Sequence, residues 1–300
     1  MAGIKDVAAL AGVSISTVSY VMTGKRPIGA NTRRRVLQAA RELGYLAKNG
    51  GPAPLSGETH FVALSSPVHD STSYTNYCAY FLNFLKAARQ LGYETLLLTE
   101  ETGDEQLRSI IDTGMVDGVA LMDVTMNDPR IELAQLSSIP LISIGHPMNE
   151  INVPCIDTDF IEMGEMIMQT LCRNGHSRIL FAGGKEIDYE RNGGANYLIR
   201  LRTSMHDAAA RYKIHIDEEF TDEDDFDAAE NLLERFISSE NTAIVTQGGP
   251  LFLNNLVAAT RQRGMKIPQD LSLISAGTYT DSIGKRLRID EFPLMPAELC

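Results

Sequence analysis

Hydroxyl and guanidinium groups crowd one short stretch near the start of this 300-residue chain: Ser14, Ser16, Thr17, Ser19, Tyr20, Thr32 and the run Arg33 to Arg35. Donors of this kind suit phosphate oxygens, and Ser or Tyr can also reach the polar edges of nucleic-acid bases. Ile15 beside them offers methyl groups of the sort that pack on a thymine methyl. What such groups achieve depends on the elements that hold them. Val7, Leu10, Ala11, Val18 and Val21 recur at helical spacing. They predict a helix from Lys5 to Ala11, a turn at Gly12-Val13-Ser14 and a second helix from Ile15 to Met22. A third helix, Ala30 to Leu43, would bring Val36, Leu37, Ala40 and Leu43 onto the same small core. Ala8 and Gly12 are expected to be small because two helices joined by so tight a turn nearly touch. The outer face of the second helix is then free, and a free helix in this motif has the shape to enter a DNA major groove. Ile15, Ser16 and Tyr20 lie on that face as candidate base contacts. Ser14, Thr17, Ser19, Thr32 and Arg33 are the candidate phosphate contacts. Three consecutive arginines fan around a helix rather than forming one stripe.

Charge divides the chain in the same place. Residues 1–60 carry eight Lys or Arg against three Asp or Glu, while the remainder carries 19 against 36. The net charge of -12 conceals a basic head on an acidic body, which suits phosphate contact at one end only. Beyond residue 60, apolar runs alternate with amphipathic stretches. Strands are expected at 61–65, 95–98, 118–122, 140–144, 178–182, 243–246 and 271–275. Helices are expected at 77–91, 105–113, 162–172, 195–212, 228–238 and 251–263. That alternation implies parallel sheets with helices on both faces. Residues 46–59 are rich in Gly and Pro and read as a linker. The domain boundaries are therefore 1–45, 46–59 and 60–300.

Asp6 to Val21 reads DVAALAGVSISTVSYV, followed by Thr32-Arg33 and by Leu43-Gly44-Tyr45. These residues resemble the head of the LacI/GalR family of bacterial transcription regulators, which runs DVAxxAGVSxxTVSxV, then a TR pair, then LGY. The resemblance continues through Val116 to Gly118, Ile139 to Ile142, Asn174 to Ile179 and Ile267 to Ile274. It implies a three-helix, lambda-repressor-like helix-turn-helix domain followed by a two-lobed, periplasmic-binding-protein-like α/β domain that closes on a small ligand. It also implies that side chains at Ile15, Ser16 and Tyr20 contact operator DNA. The expected function is a sequence-specific regulator, a repressor of carbohydrate-utilisation genes tuned by a small sugar-like effector. One recognition helix reads few bases, so a homodimer on a palindromic operator is expected. The competing reading is a DNA-binding regulator that has lost its sugar pocket and needs no effector.

Two features depart from that family. Its linker becomes a hinge helix on DNA, with a leucine wedged into the minor groove. Here Pro54 stands at the leucine's position with Leu55 one place later, and Gly50, Gly51 and Pro52 also oppose a helix. In the ligand cleft, Gly248-Gly249 replaces an expected Asn-Asp, Gly277-Thr278 replaces an Asp-Asp, and Gly145-His146 stands where an acid is usual. Asp159-Phe160 keeps only the acid of an Asp-Asn pair. The remaining effector-binding candidates are Tyr74, Tyr77, Asp159, Arg200, Arg202, Gln247 and Tyr279, with neither arginine cleanly in register. The chain ends at PAEL-Cys300, which reads as the first turn of a helix that continues in relatives, so the expectation is either a truncated copy or a distal lobe that ends differently.

Catalysis is not expected. Ser282 to Lys285 matches SxxK but no KTG follows, and Gly284-Lys285 lacks the frame of a phosphate loop. No GxSxG or HExxH occurs, the six histidines lack metal spacing, and no cofactor is expected. Four scattered cysteines read as reduced and structural. Neither a signal peptide nor a run of ~20 apolar residues is found, so a cytoplasmic protein without membrane contact is expected.

Overall fold

The computed structural model describes residues 3–23, 26, 28–43, 45, 59–68, 74–100, 104–136, 139–148, 153–190, 194–278 and 287–300. Three helices open the chain: α1 (Ile4–Ala11), α2 (Ile15–Thr23) and α3 (Ala30–Glu42). Val7, Ala8, Ala11, Val18, Val21, Val36, Ala39 and Ala40 form their shared core. Leu10 is not part of it. It is 51% exposed, so the helical period was read one position too wide. Gly12 also serves a different purpose from the one its size suggested. It caps α1 at φ 64°, a left-handed conformation that a Cβ disfavours, and an added Cβ would meet nothing closer than 3.9 Å. The glycine is there for the turn.

The body consists of two five-stranded sheets. The first has β1 (Phe61–Ser65), β2 (Glu94–Leu98), β3 (Gly118–Met122), β4 (Leu141–Ile144) and β5 (Cys155–Ile156), in the order β2-β1-β3-β4-β5. Helices α4 (Tyr74–Gln90), α5 (Asp104–Thr113) and α6 (Pro129–Leu136) connect them. The second has β6 (Arg178–Gly183), β7 (His215–Phe220), β8 (Ala243–Thr246), β9 (Ser272–Thr278) and β10 (Asp290–Pro293), in the order β10-β9-β8-β6-β7. Its helices are α7 (Phe160–Arg173), α8 (Asn196–Tyr212), α9 (Phe226–Ile237) and α10 (Pro250–Gln262). Every pairing in both sheets is parallel. A last turn, α11 (Pro296–Leu299), returns to α4 of the first lobe, where Cys300 packs near Tyr80.

Central strands carry continuous apolar runs because both faces are covered. Val119, Leu121 and Leu141 in the first lobe, and Ile179, Phe181, Val245 and Ile274 in the second, are all buried. Helices α7 and α8 pack so closely at Gly164 that an added Cβ would lie 2.7 Å from Ser204 Oγ. The acidic run before α9 supplies its cap, Asp225 Oδ1 accepting from the Ala228 amide at 2.8 Å. Among the described residues no single helix is long and apolar enough to cross a membrane.

Candidate functional site

Ser14 starts the second helix of the head. Its Oγ accepts the Thr17 amide at 3.1 Å and shares hydrogen bonds of 2.8 Å with the Ser16 and Thr17 hydroxyls. Capping therefore fixes the rotamers of three candidate DNA contacts at once. Ile15 and Ser16 are exposed, and Thr17, Ser19 and Tyr20 half-buried, all on α2. Thr32 and Arg33 are half-buried in the first turn of α3. Arg33 Nη1 lies 3.7 Å from Asp112 Oδ2 of α5, so anchoring a phosphate requires that loose pair to open. Arg34 and Arg35 are exposed. Pro54 and Leu55 lie outside the described residues.

Between the two lobes is a cavity of ≈ 80 Å³. The ends of β3 and β4 supply Met122, Asp123, Val124, Ile144, Gly145 and His146 to it. Open parallel sheets bind ligands at such carboxyl ends. Tyr77 and Tyr80 of α4, and Phe160 and Tyr197 of the second lobe, provide aromatic walls. A buried ion pair sets one rim. Arg130, 1% exposed, bonds both Asp128 oxygens and the carbonyls of Ser65, Met122 and Asp123. Asp123, at φ 55°, accepts the Tyr77 hydroxyl at 2.5 Å. On the other side Asp157 accepts Arg200 at 2.5 Å and the His146 amide at 3.0 Å. Burial raises the Asp157 pKa, and the Arg200 charge opposes that rise. Contacts that bridge the lobes include a backbone pairing of Thr125 with Ala195 and a hydrogen bond from Asn196 Nδ2 to the His146 carbonyl.

Of the effector candidates among the described residues, Tyr77 alone lines this cavity. Arg200 sits behind it, held by Asp157. Asp159 is instead the N-cap of α7, its Oδ1 accepting the Ile161 and Glu162 amides. Arg202 pairs with Glu218 and lies over the Phe220 ring. Gln247 accepts the hydroxyl of buried Tyr189 at 2.8 Å. Phe181, Tyr189 and Phe220 pack against one another, with Arg202 over the Phe220 ring and Gln247 on the Tyr189 hydroxyl. The Tyr74 side chain and Tyr279 lie outside the described residues. Sequence reasoning missed the role of Asp157, Asn196 and Asp128-Arg130. Among the described residues no group of three His, Cys, Asp or Glu could hold a metal ion.

The family model for bacterial regulatory proteins of the lacI family matches residues 3–48. That for periplasmic binding proteins and the sugar binding domain of the LacI family matches residues 68–283. The chain belongs to the LacI family. The HTH-type transcriptional regulator AglR of Rhizobium meliloti (strain 1021) is 29% identical over 289 residues, covering 91% of this chain and 76% of that protein. CelR of Thermobifida fusca is 27% identical over 284 residues, covering 92% and 81%. A solved complex of CelR with cellobiose shares the fold at a TM-score of 0.59 and 23% identity, over 100% of this chain and 89% of that one. A LacI family regulator from Bifidobacterium animalis superposes at 0.66 with 19% identity, covering 80% and 86%. The protein is thus a DNA-binding transcriptional regulator with a helix-turn-helix head and two parallel-sheet lobes, and its named relatives are regulators, not enzymes.

Proposed function

We propose that this regulator is a cytoplasmic repressor of carbohydrate-utilisation genes that acts as a homodimer and whose hold on its operator is set by a small sugar-like effector. The inter-lobe cavity carries this reading. It is walled by side chains of both lobes, so its occupancy stabilises one lobe arrangement over another, and such a difference is what an effector needs to act at a distance. Aromatic walls suit the flat apolar face of a saccharide. The CelR relative solved with cellobiose adds to this reading. At the other end, Ile15, Ser16 and Tyr20 read bases, while Ser14, Thr17, Ser19, Thr32 and Arg33 position the head on phosphates.

The test is operator binding by fluorescence anisotropy, on a site selected from random DNA, with and without cellobiose, maltose and sucrose. A saccharide should shift operator affinity by 5–150-fold, roughly the range of ordinary coupling energies. Two protomers should occupy one palindrome in sedimentation. If no saccharide changes operator affinity, the effector reading fails, and one protomer per palindrome would refute the dimer.

A further inference from the structure

We propose that Asn196 selects the ligand of the inter-lobe cavity and reports its occupancy. Its Oδ1 accepts a hydrogen bond from an uncharged, donor-bearing ligand, while its Nδ2 holds the opposite lobe. This inference rests on the effector reading above and narrows the class of ligand.

Asn196 is the first residue of α8 in the second lobe, lines the cavity and is 2% exposed. Its two amide atoms have different fates. Nδ2 donates to the carbonyl of His146, in the loop that follows β4 of the first lobe. Oδ1 is buried with no partner among the described residues. A buried acceptor left unpaired costs its full desolvation, so an O–H or N–H brought by a ligand recovers what the empty site loses. Because the two functions share one planar amide, a ligand that fixes Oδ1 also fixes the orientation of Nδ2 toward the first lobe. The Thr125–Ala195 pairing lies next to it in sequence, so the contact is part of a lobe-to-lobe seam rather than an isolated bond.

Charge narrows the class further. Asp123 and Asp157 line the cavity, and no Lys or Arg does so among the described residues. Arg200, bonded to the lining residue Asp157 at 2.5 Å, is already paired, as is Arg130 with Asp128. A phosphate or carboxylate would enter against two carboxylates, with no Lys or Arg among the described lining residues to receive it. With Tyr77, Tyr80, Phe160 and Tyr197 as walls, the fitting class is an uncharged molecule with one flat apolar face and a hydroxyl or amine edge.

The experiment titrates the full chain by calorimetry with cellobiose and maltose, and with glucose 6-phosphate and gluconate. It compares the parent with Asn196→Ala and Asn196→Asp, and measures operator affinity at saturating ligand. The parent should bind a neutral saccharide and neither anion. Asn196→Ala should weaken that binding at least tenfold. Asn196→Asp keeps the acceptor but loses the donor to His146, so it should retain more affinity than Asn196→Ala while losing the ligand-linked change in operator binding. A residue needed only for packing would not separate binding from coupling in this way. Asn196→Ser, which keeps a small acceptor, replaces Asn196→Ala if the latter does not unfold cooperatively. Parent-like binding and coupling in these variants overturns the proposal. Tighter binding of an anion overturns the ligand class while the effector reading stands. If no compound of either kind binds the parent, the effector reading fails and this inference with it.

Discussion

Replacing Arg130 with Met should destabilise the first lobe far more than any surface charge could. The guanidinium is 1% exposed, bonds both oxygens of Asp128 at 2.9 and 2.6 Å, and also donates to the carbonyls of Ser65, Met122 and Asp123. Methionine fills much of the volume but leaves a carboxylate that is 2% exposed without its counter-charge. Removing one partner of a buried pair costs about 3–5 kcal/mol, because the other charge remains desolvated. Against a typical stability of about 5–15 kcal/mol, that is a large share. The magnitude can be separated from simple loss of packing. In Asp128→Asn/Arg130→Met no buried charge is left, while an amide oxygen stays available to the Thr125 amide that Asp128 now receives at 3.2 Å. The double variant should therefore recover roughly half of the loss. Urea unfolding followed by circular dichroism reads both values. If Arg130→Met costs under about 1 kcal/mol, or the double variant is no more stable than the single, the unpaired charge is not the source of the cost.

Two further predictions concern the head. An Ile15/Ser16 double substitution should change the operator recovered by site selection, with ~1–3 kcal/mol at the affected positions, since both side chains are exposed on α2. An unchanged consensus would remove them from base reading. Arg33→Ala should weaken all sequences alike and reduce the salt slope of binding by about one unit. Altered specificity with an intact slope would contradict a phosphate role.

Much of the fold was legible because its signals are local. The central strands announce themselves as short apolar runs, and six of the seven expected strands differ by at most one residue at either end from those observed. The strands that went unread lie at sheet edges. His215–Phe220 reads HIDEEF, pairs on one side only, and carries four titratable side chains spread over both faces, so it lacks both an apolar run and a clean alternation. Cys155–Ile156 is two residues long, and Asp290–Pro293 begins with two acids. Leu10 misled because period alone cannot tell a core leucine from an exposed one at the rim of a three-helix core.

The cavity was far less legible, for a reason its residues make plain. Its polar groups are set by partners remote in sequence: Asn196 to His146, Arg200 to Asp157, Tyr189 to Gln247. A sequence shows that Arg202 and Gln247 could bind a hydroxyl. It does not show that Glu218 and Tyr189 already occupy them. Asp128 and Arg130, two residues apart at the start of α6, resemble solvated surface, since such residues are seldom buried unless paired, and the pairing is visible only in three dimensions. Gly248, Gly249 and Gly277 bring no side-chain donor or acceptor to the strand ends of the second sheet. What surrounds them is not legible in sequence: the aromatic packing of Phe181, Tyr189 and Phe220 in the second lobe and, at the lobe boundary, the Asn196 amide oxygen without a partner among the described residues. An effector in the inter-lobe cavity, as proposed above, would contact mainly the strand ends of the first sheet and the seam. That is where substitutions altering effector preference should be sought, rather than at the strand ends of the second sheet.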